Sequence, residues 1–289
     1  MSMSFVVSVI VLGCIYAVLA VGFVVIYKSS RVLNFSYADV AVMLAYLSIT
    51  IMELISGPPV ISLVMVLLTS FFFGLGVHRF LIRPMAGQPI FSTIILTVAF
   101  GIVIQSVATL IWHGDTKTIN LGWRAYYTLG GGIRISGVDI IILITAVVFY
   151  TGLLIFYGHS RIGWQMRATA ENIVLAAQRG INVYSVTALS WGIGIFATAV
   201  AAMLLGSYSA VSPAMGHIAI KAFAVALVGG LDSIGGSIPA AFLIALVELG
   251  ANTYINPRLA DAIPFMIMLI VLLVRPWGLF GTEEEIERV

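Results

Sequence analysis

The chain has 289 residues, 61% of them hydrophobic and only 9% charged, with a formal net charge of +2. Soluble domains carry about 25% charged residues, so this chain cannot cover a globule with polar surface, and lipid must be its solvent. So small a net charge gives no reason to expect nucleic-acid binding, and the single cysteine, Cys14, excludes an internal disulfide or a cysteine-based metal site.

The first apolar run starts almost at Met1 with no Lys or Arg before it, unlike the basic start of a secretory signal. It reads as an uncleaved spanning helix from Met3 to Tyr27, long enough for a ~30 Å core with some tilt. Cys14 within it is expected to be a small buried hydrophobe. Further runs of spanning length lie near 38–55, 60–82, 90–112, 138–157 and 183–211. The pattern then becomes irregular. Two short runs, 217–231 and 237–254, flank Gly229-Gly230-Leu-Asp-Ser-Ile-Gly235-Gly236, and a last one covers 261–274. Alternating barrel strands are absent, so the spans are helices. The expected fold is a single all-α, polytopic transmembrane bundle over 1–289, of eight or nine spans, with short discontinuous helices near 217–254.

Lys and Arg orient it. Lys28, Arg31, Arg79, Arg83, Arg161, Arg167, Arg179, Arg275 and Arg288 fall on one side if spans alternate. Lys117, Arg124, Arg134 and Arg258 fall on the other, and Lys221 lies within a helix. The positive-inside rule makes the first side cytoplasmic, with the N-terminus outside and the C-terminus inside.

Two connecting segments stand out. The outer loop 113–137 mixes aromatics, Arg and Gly. It reads either as an interfacial loop with an aromatic belt or as a docking surface for a soluble partner, with Trp123, Arg124, Tyr126 and Tyr127 as anchors. On the inner side, 158–182 is a polar stretch of helical habit in a chain of greasy spans, and it needs a polar partner.

Chemistry is sparse. No phosphate-binding Gly-x-x-x-x-Gly-Lys-Ser/Thr loop occurs, nor a Gly-x-Ser-x-Gly elbow. His78, His113, His159 and His217 are scattered near span ends, with no pair at ligand spacing. Catalysis is not expected, which leaves movement of a solute or binding within the membrane. Polar groups inside apolar runs are then the candidates for a path or gate. They are Asn34, Asp39 at the start of span two, Gln105 in span four and Lys221 in the first short helix, with Glu248 in the second. Asp39 also suits a simple role at a helix N-terminus. Gly229 and Gly230 join these candidates because breaks at Gly suit discontinuous helices beside a transport path. Small residues at Gly192, Gly194, Ala197, Ala199, Ala201, Ala202, Ala240 and Ala241 allow close helix approach.

Six motifs in order resemble the permease subunit of bacterial branched-chain amino acid ABC importers, nearly end to end. They are Tyr16-Ala-Val-Leu-Ala-Val-Gly22, Tyr27-Lys-Ser-Ser-Arg-Val-Leu-Asn34, Arg83-Pro-Met-Ala-Gly-Gln-Pro89, Gly163-Trp-Gln-Met-Arg167-Ala-Thr-Ala-Glu-Asn172, the Lys221 to Gly236 region, and Arg275-Pro-Trp-Gly-Leu-Phe-Gly281. The chain departs from the family's usual Asn-Phe-Ala-His-Gly-Glu in having Asn34-Phe-Ser-Tyr-Ala-Asp39, and it has Ala99 where a Gly is usual.

The resemblance implies a subunit of the bacterial inner membrane and not an enzyme. It implies a second, different permease chain, two ATPase subunits and an outer solute-binding protein as partners. The chain itself would bind no cofactor, ATP and Mg being held by the ATPases. Residues 158–182 would be the cytoplasmic coupling segment, with Arg161, Met166, Arg167, Ala170, Glu171, Asn172 and Gly180 as candidate contacts. The solute would be a branched-chain or related amino acid. Relatives that handle urea, amides or aromatic acids keep those solutes open, and a stand-alone secondary transporter or channel is the rival class.

Overall fold

A computed structural model describes residues 3–55, 59–120, 125–129 and 133–283. Among these, helices α1 (Met3–Ser30), α2 (Tyr37–Leu54), α3 (Pro59–Val77) and α4 (Ile90–Trp112) come first. A hairpin of β1 (Tyr126–Leu129) and β2 (Ile133–Ser136) precedes α5 (Gly137–His159), α6 (Arg161–Glu171), α7 (Ile173–Gln178) and α8 (Val183–Tyr208). The chain closes with α9 (Met215–Gly229), α10 (Ser237–Tyr254), α11 (Pro257–Ala260) and α12 (Ile263–Val274). Among the described residues, seven helices are long and apolar enough to cross a membrane, and α9 and α12 are shorter apolar ones. The protein is the expected all-α polytopic membrane bundle.

The α3 helix does not stop at Val77. It widens into a π turn over His78–Ile82 and tightens into a 3-10 turn over Arg83–Met85, where Pro84 cannot continue the helix. At α5 the start is fixed chemically. Ser136 Oγ accepts from the Val138 amide while Asp139 accepts from the Ser136 amide, a reciprocal cap. The alternation of helices sorts the connections into two ends. One holds 31–36, 83–89, 160–182, 230–236 and 275–283. There an Arg31 guanidinium N–H donates to the Ala170 carbonyl (3.2 Å), and the Phe280 amide donates to the Gly229 carbonyl (3.3 Å). At the other end, Lys117 and Val211 exchange amide bonds of 3.0 and 2.7 Å, and Tyr46 Oη donates to the Asp115 carbonyl (2.9 Å).

Two features depart from the sequence expectation. Outside the spans, the 113–137 loop carries an antiparallel hairpin with Tyr126 opposite Ser136. Aromatic and β-branched residues away from lipid are free to pair backbone across strands. On the inner side, the polar stretch is two helices and not one, because Asn172 is extended (φ −154°, ψ 109°) between α6 and α7.

Hydrophobicity does not decide which helix is central. The α3, α4 and α5 helices are greasier than α8, yet they expose most of their surface, whereas α8 is largely buried and α1 is enclosed from Val11 to Ile26. Lipid is as apolar as leucine, so centrality follows from small residues that admit close backbone contact. At Gly22, an added Cβ would collide with Tyr37 Oη and lie 2.7 Å from the Gly194 carbonyl; at Gly194, it would lie 2.8 Å from the Gly22 carbonyl. The two glycines let α1 and α8 touch backbone to backbone. Gly22→Val is expected to destabilise the protein by about 1–3 kcal/mol through overpacking. Gly76→Ala, with open space around it, should be neutral or stabilising by helix propensity. Thermal unfolding of the detergent-solubilised protein reads both.

Candidate functional site

The inner end is organised around α6 and α7. Ser160 Oγ accepts from the Gly163 amide (2.8 Å) and starts α6, and Asn172 Oδ1 accepts from the Leu175 amide (2.9 Å) and starts α7. The Arg167 guanidinium donates back to the Tyr157 and Gly158 carbonyls at the end of α5. Arg31 binds the Ala170 carbonyl from the end of α1, so two arginines fasten α6 to two spans.

The anticipated contact residues divide by face. Met166 and Ala170 are buried against the bundle, Arg167 is half-buried, and Arg161, Glu171, Asn172 and Gly180 are exposed. Gly180 adopts φ +81° in the turn before α8, where a side chain would be strained. The exposed side also carries Trp164, Ile173, Val174 and Leu175. Sequence reading passed over these four because it weighed the segment's polarity, although large apolar residues within a polar loop are themselves a contact signal. Beneath the segment, a cavity of about 980 Å³ is lined by Lys28, Arg31, Arg167, Glu171 and Asp232.

The path candidates do not converge on one place. Asn34 is a turn residue, its Oδ1 accepting from the Ser36 amide (3.2 Å) and Ser36 Oγ (2.6 Å). Asp39 sits in the first turn of α2 with its carboxylate against Gly101 of α4. On α4, the Gln105 side chain is exposed on the face turned away from the bundle. Gly229 and Gly230 lie beneath the 275–281 turn, where the Leu279 amide donates to the Val228 carbonyl (2.8 Å). Gly230 has φ +100°, and a Cβ on it would lie 2.5 Å from the Gly281 nitrogen. Gly278 (φ +84°) meets the Leu227 carbonyl as tightly. Both glycines are required for this backbone-on-backbone seat.

Lys221 is different. Only 5% exposed, it donates from Nζ to Glu248 Oε1 (2.6 Å) and Asp261 Oδ1 (2.9 Å). Tyr16 Oη of α1 donates to Glu248 Oε2 (2.9 Å), so the carboxylate is satisfied on both oxygens. Three helices and a loop thus share one ion cluster, in which Lys221 and Glu248 are buried. The two isolated charges in neighbouring short apolar helices were its signal, since an ionised group at membrane depth needs a partner. Tyr16 and Asp261 gave no such signal. At the same end, Tyr126 and Tyr127 are exposed, while Trp123 and Arg124 lie outside the described residues. Among the described residues, no group of three or more His, Cys, Asp or Glu could hold a metal ion.

A bundle of long apolar helices, with α6 and α7 exposed at one end and an ion cluster near the other, has the build of a multi-pass membrane protein. Residues 5–272 match the profile of the branched-chain amino acid transport system permease component, and the chain belongs to that family. It is 29% identical to the high-affinity branched-chain amino acid transport system permease protein BraD of Pseudomonas aeruginosa, over 96% of this chain and 94% of that one. It is 28% identical to the corresponding LivH of Escherichia coli K12 (97% and 95% covered) and 24% identical to a probable LivH of Methanocaldococcus jannaschii (95% and 91%). No solved structure matches the chain significantly.

Gly230→Ala is expected to lift the 275–282 segment off α9, through backbone strain of about 1–2 kcal/mol plus the collision with Gly281. Gly235→Ala, with nothing near it, should leave the segment seated. Limited proteolysis of that segment in membranes distinguishes the two.

Proposed function

We propose that the chain is the permease subunit of an ATP-driven importer and forms part of the path by which branched-chain or related amino acids cross the bacterial inner membrane. ATP and Mg sit on two partner ATPase subunits, an outer binding protein delivers the solute, and a second, different permease chain completes the path. The observation that carries this reading is the α6–α7 pair. It presents Arg161, Trp164, Glu171 and Leu175 outward while Arg31 and Arg167 tie it to the ends of α1 and α5. A partner gripping the exposed face moves two spans at once. ATP drives the cycle only if it favours one arrangement of that lever over the other, since a ligand shifts an equilibrium only by its differential affinity.

Membership of the permease family and the long apolar helices support the reading. So does the positive-inside count, which puts α6 and α7 on the cytoplasmic side. The outer hairpin with Tyr126 and Tyr127 suits a docking surface for the binding protein.

The test is reconstitution in liposomes with candidate ATPases and binding protein, measuring ATP hydrolysis and uptake of labelled leucine together. Uptake that depends on ATP and on both partners is expected; uptake that persists without any ATPase would make the chain a secondary transporter or channel. Replacing Arg167 and Glu171 together with Ala should keep the protein inserted, leave ATP hydrolysis running and lower uptake per ATP about tenfold or more. That loss corresponds to one charged contact, about 1.4 kcal/mol.

A further inference from the structure

We propose that the cavity beside Lys221, Glu248 and Asp261 is an outward-facing subsite for an aliphatic α-amino acid, whose carboxylate replaces that of Asp261 on Lys221. This rests on the importer reading above and deepens it by naming the groups that would recognise the solute. The cavity has a volume of about 330 Å³, within the ~300–1,000 Å³ of small-molecule pockets. Leu12, Leu205, Ile218 and Leu249 supply apolar wall, and the ion cluster supplies the only charged groups among the described lining residues. An apolar wall beside a cluster of both signs is the complement of an aliphatic amino acid. The cavity opens at the end that holds Tyr208 and the 255–262 loop, opposite α6 and α7.

Burial separates the fixed partners from the exchangeable one. The side chains of Lys221 and Glu248 are 6% and 10% exposed, but that of Asp261 is 80% exposed. Separating Lys221 from Glu248 would strand a buried charge, whereas Asp261 returns to water at little cost. Replacing one carboxylate by another keeps the coordination of Lys221. With Asp261 displaced, Glu248 is the carboxylate left to meet the solute's ammonium group, because an ionised carboxylate accepts more than the two bonds that Lys221 and Tyr16 give it. A buried ion pair is weak evidence for stability, because apolar residues of the same volume serve as well or better. Solute recognition gives a reason for keeping it.

The decisive variant is the double substitution Lys221→Met with Glu248→Leu, which removes both charges without leaving either unpaired. In the reconstituted complex it is expected to co-purify with the other subunits, with leucine uptake at least about tenfold below wild type. If the pair serves only packing, uptake stays at the wild-type rate, and that result overturns the proposal. Binding of labelled leucine to the complex without binding protein gives a second reading. Asp261→Asn removes the competing carboxylate and should tighten binding severalfold. Both 4-methylpentanoate, which lacks the ammonium, and 3-methylbutylamine, which lacks the carboxylate, should compete at least about tenfold less well than leucine. Unchanged binding by Asp261→Asn, or an analogue equal to leucine, also overturns the proposal, even if the double variant fails to assemble. A wild-type complex that imports no aliphatic amino acid would instead overturn the importer reading itself.

Discussion

Close backbone contact between α1 and α8 sets the rest of the bundle. In hydrocarbon, no helix gains by hiding apolar surface from lipid, so the arrangement depends on where backbones can approach. Gly22 and Gly194 provide that approach. With α8 seated there, α1 becomes the axis on which α9 and α10 also pack, and its side chains from Val11 to Ile26 are enclosed. The peripheral α3, α4 and α5 turn most of their surface outward.

The axis also joins the two ends of the bundle. Tyr16 holds the carboxylate of Glu248, and Arg31, fifteen residues on, holds the Ala170 carbonyl of α6. Along a helix that separation is about 22 Å. One rigid element therefore touches both the ion cluster and the exposed α6–α7 segment. A tilt of α6 that pulls on Arg31 acts on the same helix that carries the Tyr16 hydroxyl.

The spans were legible because lipid imposes long apolar runs, and the helices follow the boundaries read from hydropathy within a few residues. The inner segment was legible through its polarity. Its break at Asn172 was not, since an Asn reads equally as a surface helical residue, and only its extended backbone makes it the cap of α7. The outer hairpin was masked by a search tuned to spans. Of the polar candidates, Lys221 was picked out by the cost of a buried charge, but which groups satisfy it depends on packing between α1, α9 and α10, separated by as much as 232 positions along the chain. Gln105 looked significant for the same reason, yet its helix turns it away from the bundle, a rotation that hydropathy does not encode when α4 is greasy on every side.

The seat of the 275–281 turn on Gly229 and Gly230 has a consequence for biogenesis. The carbonyls of Val228 and Gly229 at the end of α9 receive the amides of Leu279 and Phe280 from a segment made some fifty residues later. During synthesis, α9 and α10 must therefore enter the membrane with their inner connection unsealed. The Asp232 carboxylate, which accepts from the Thr282 amide (3.0 Å), lacks that partner until the ribosome has moved past it. Closure of this end thus waits for the 275–282 segment, and a ribosome stalled before residue 275 would leave the end of α9 without the amides of Leu279 and Phe280.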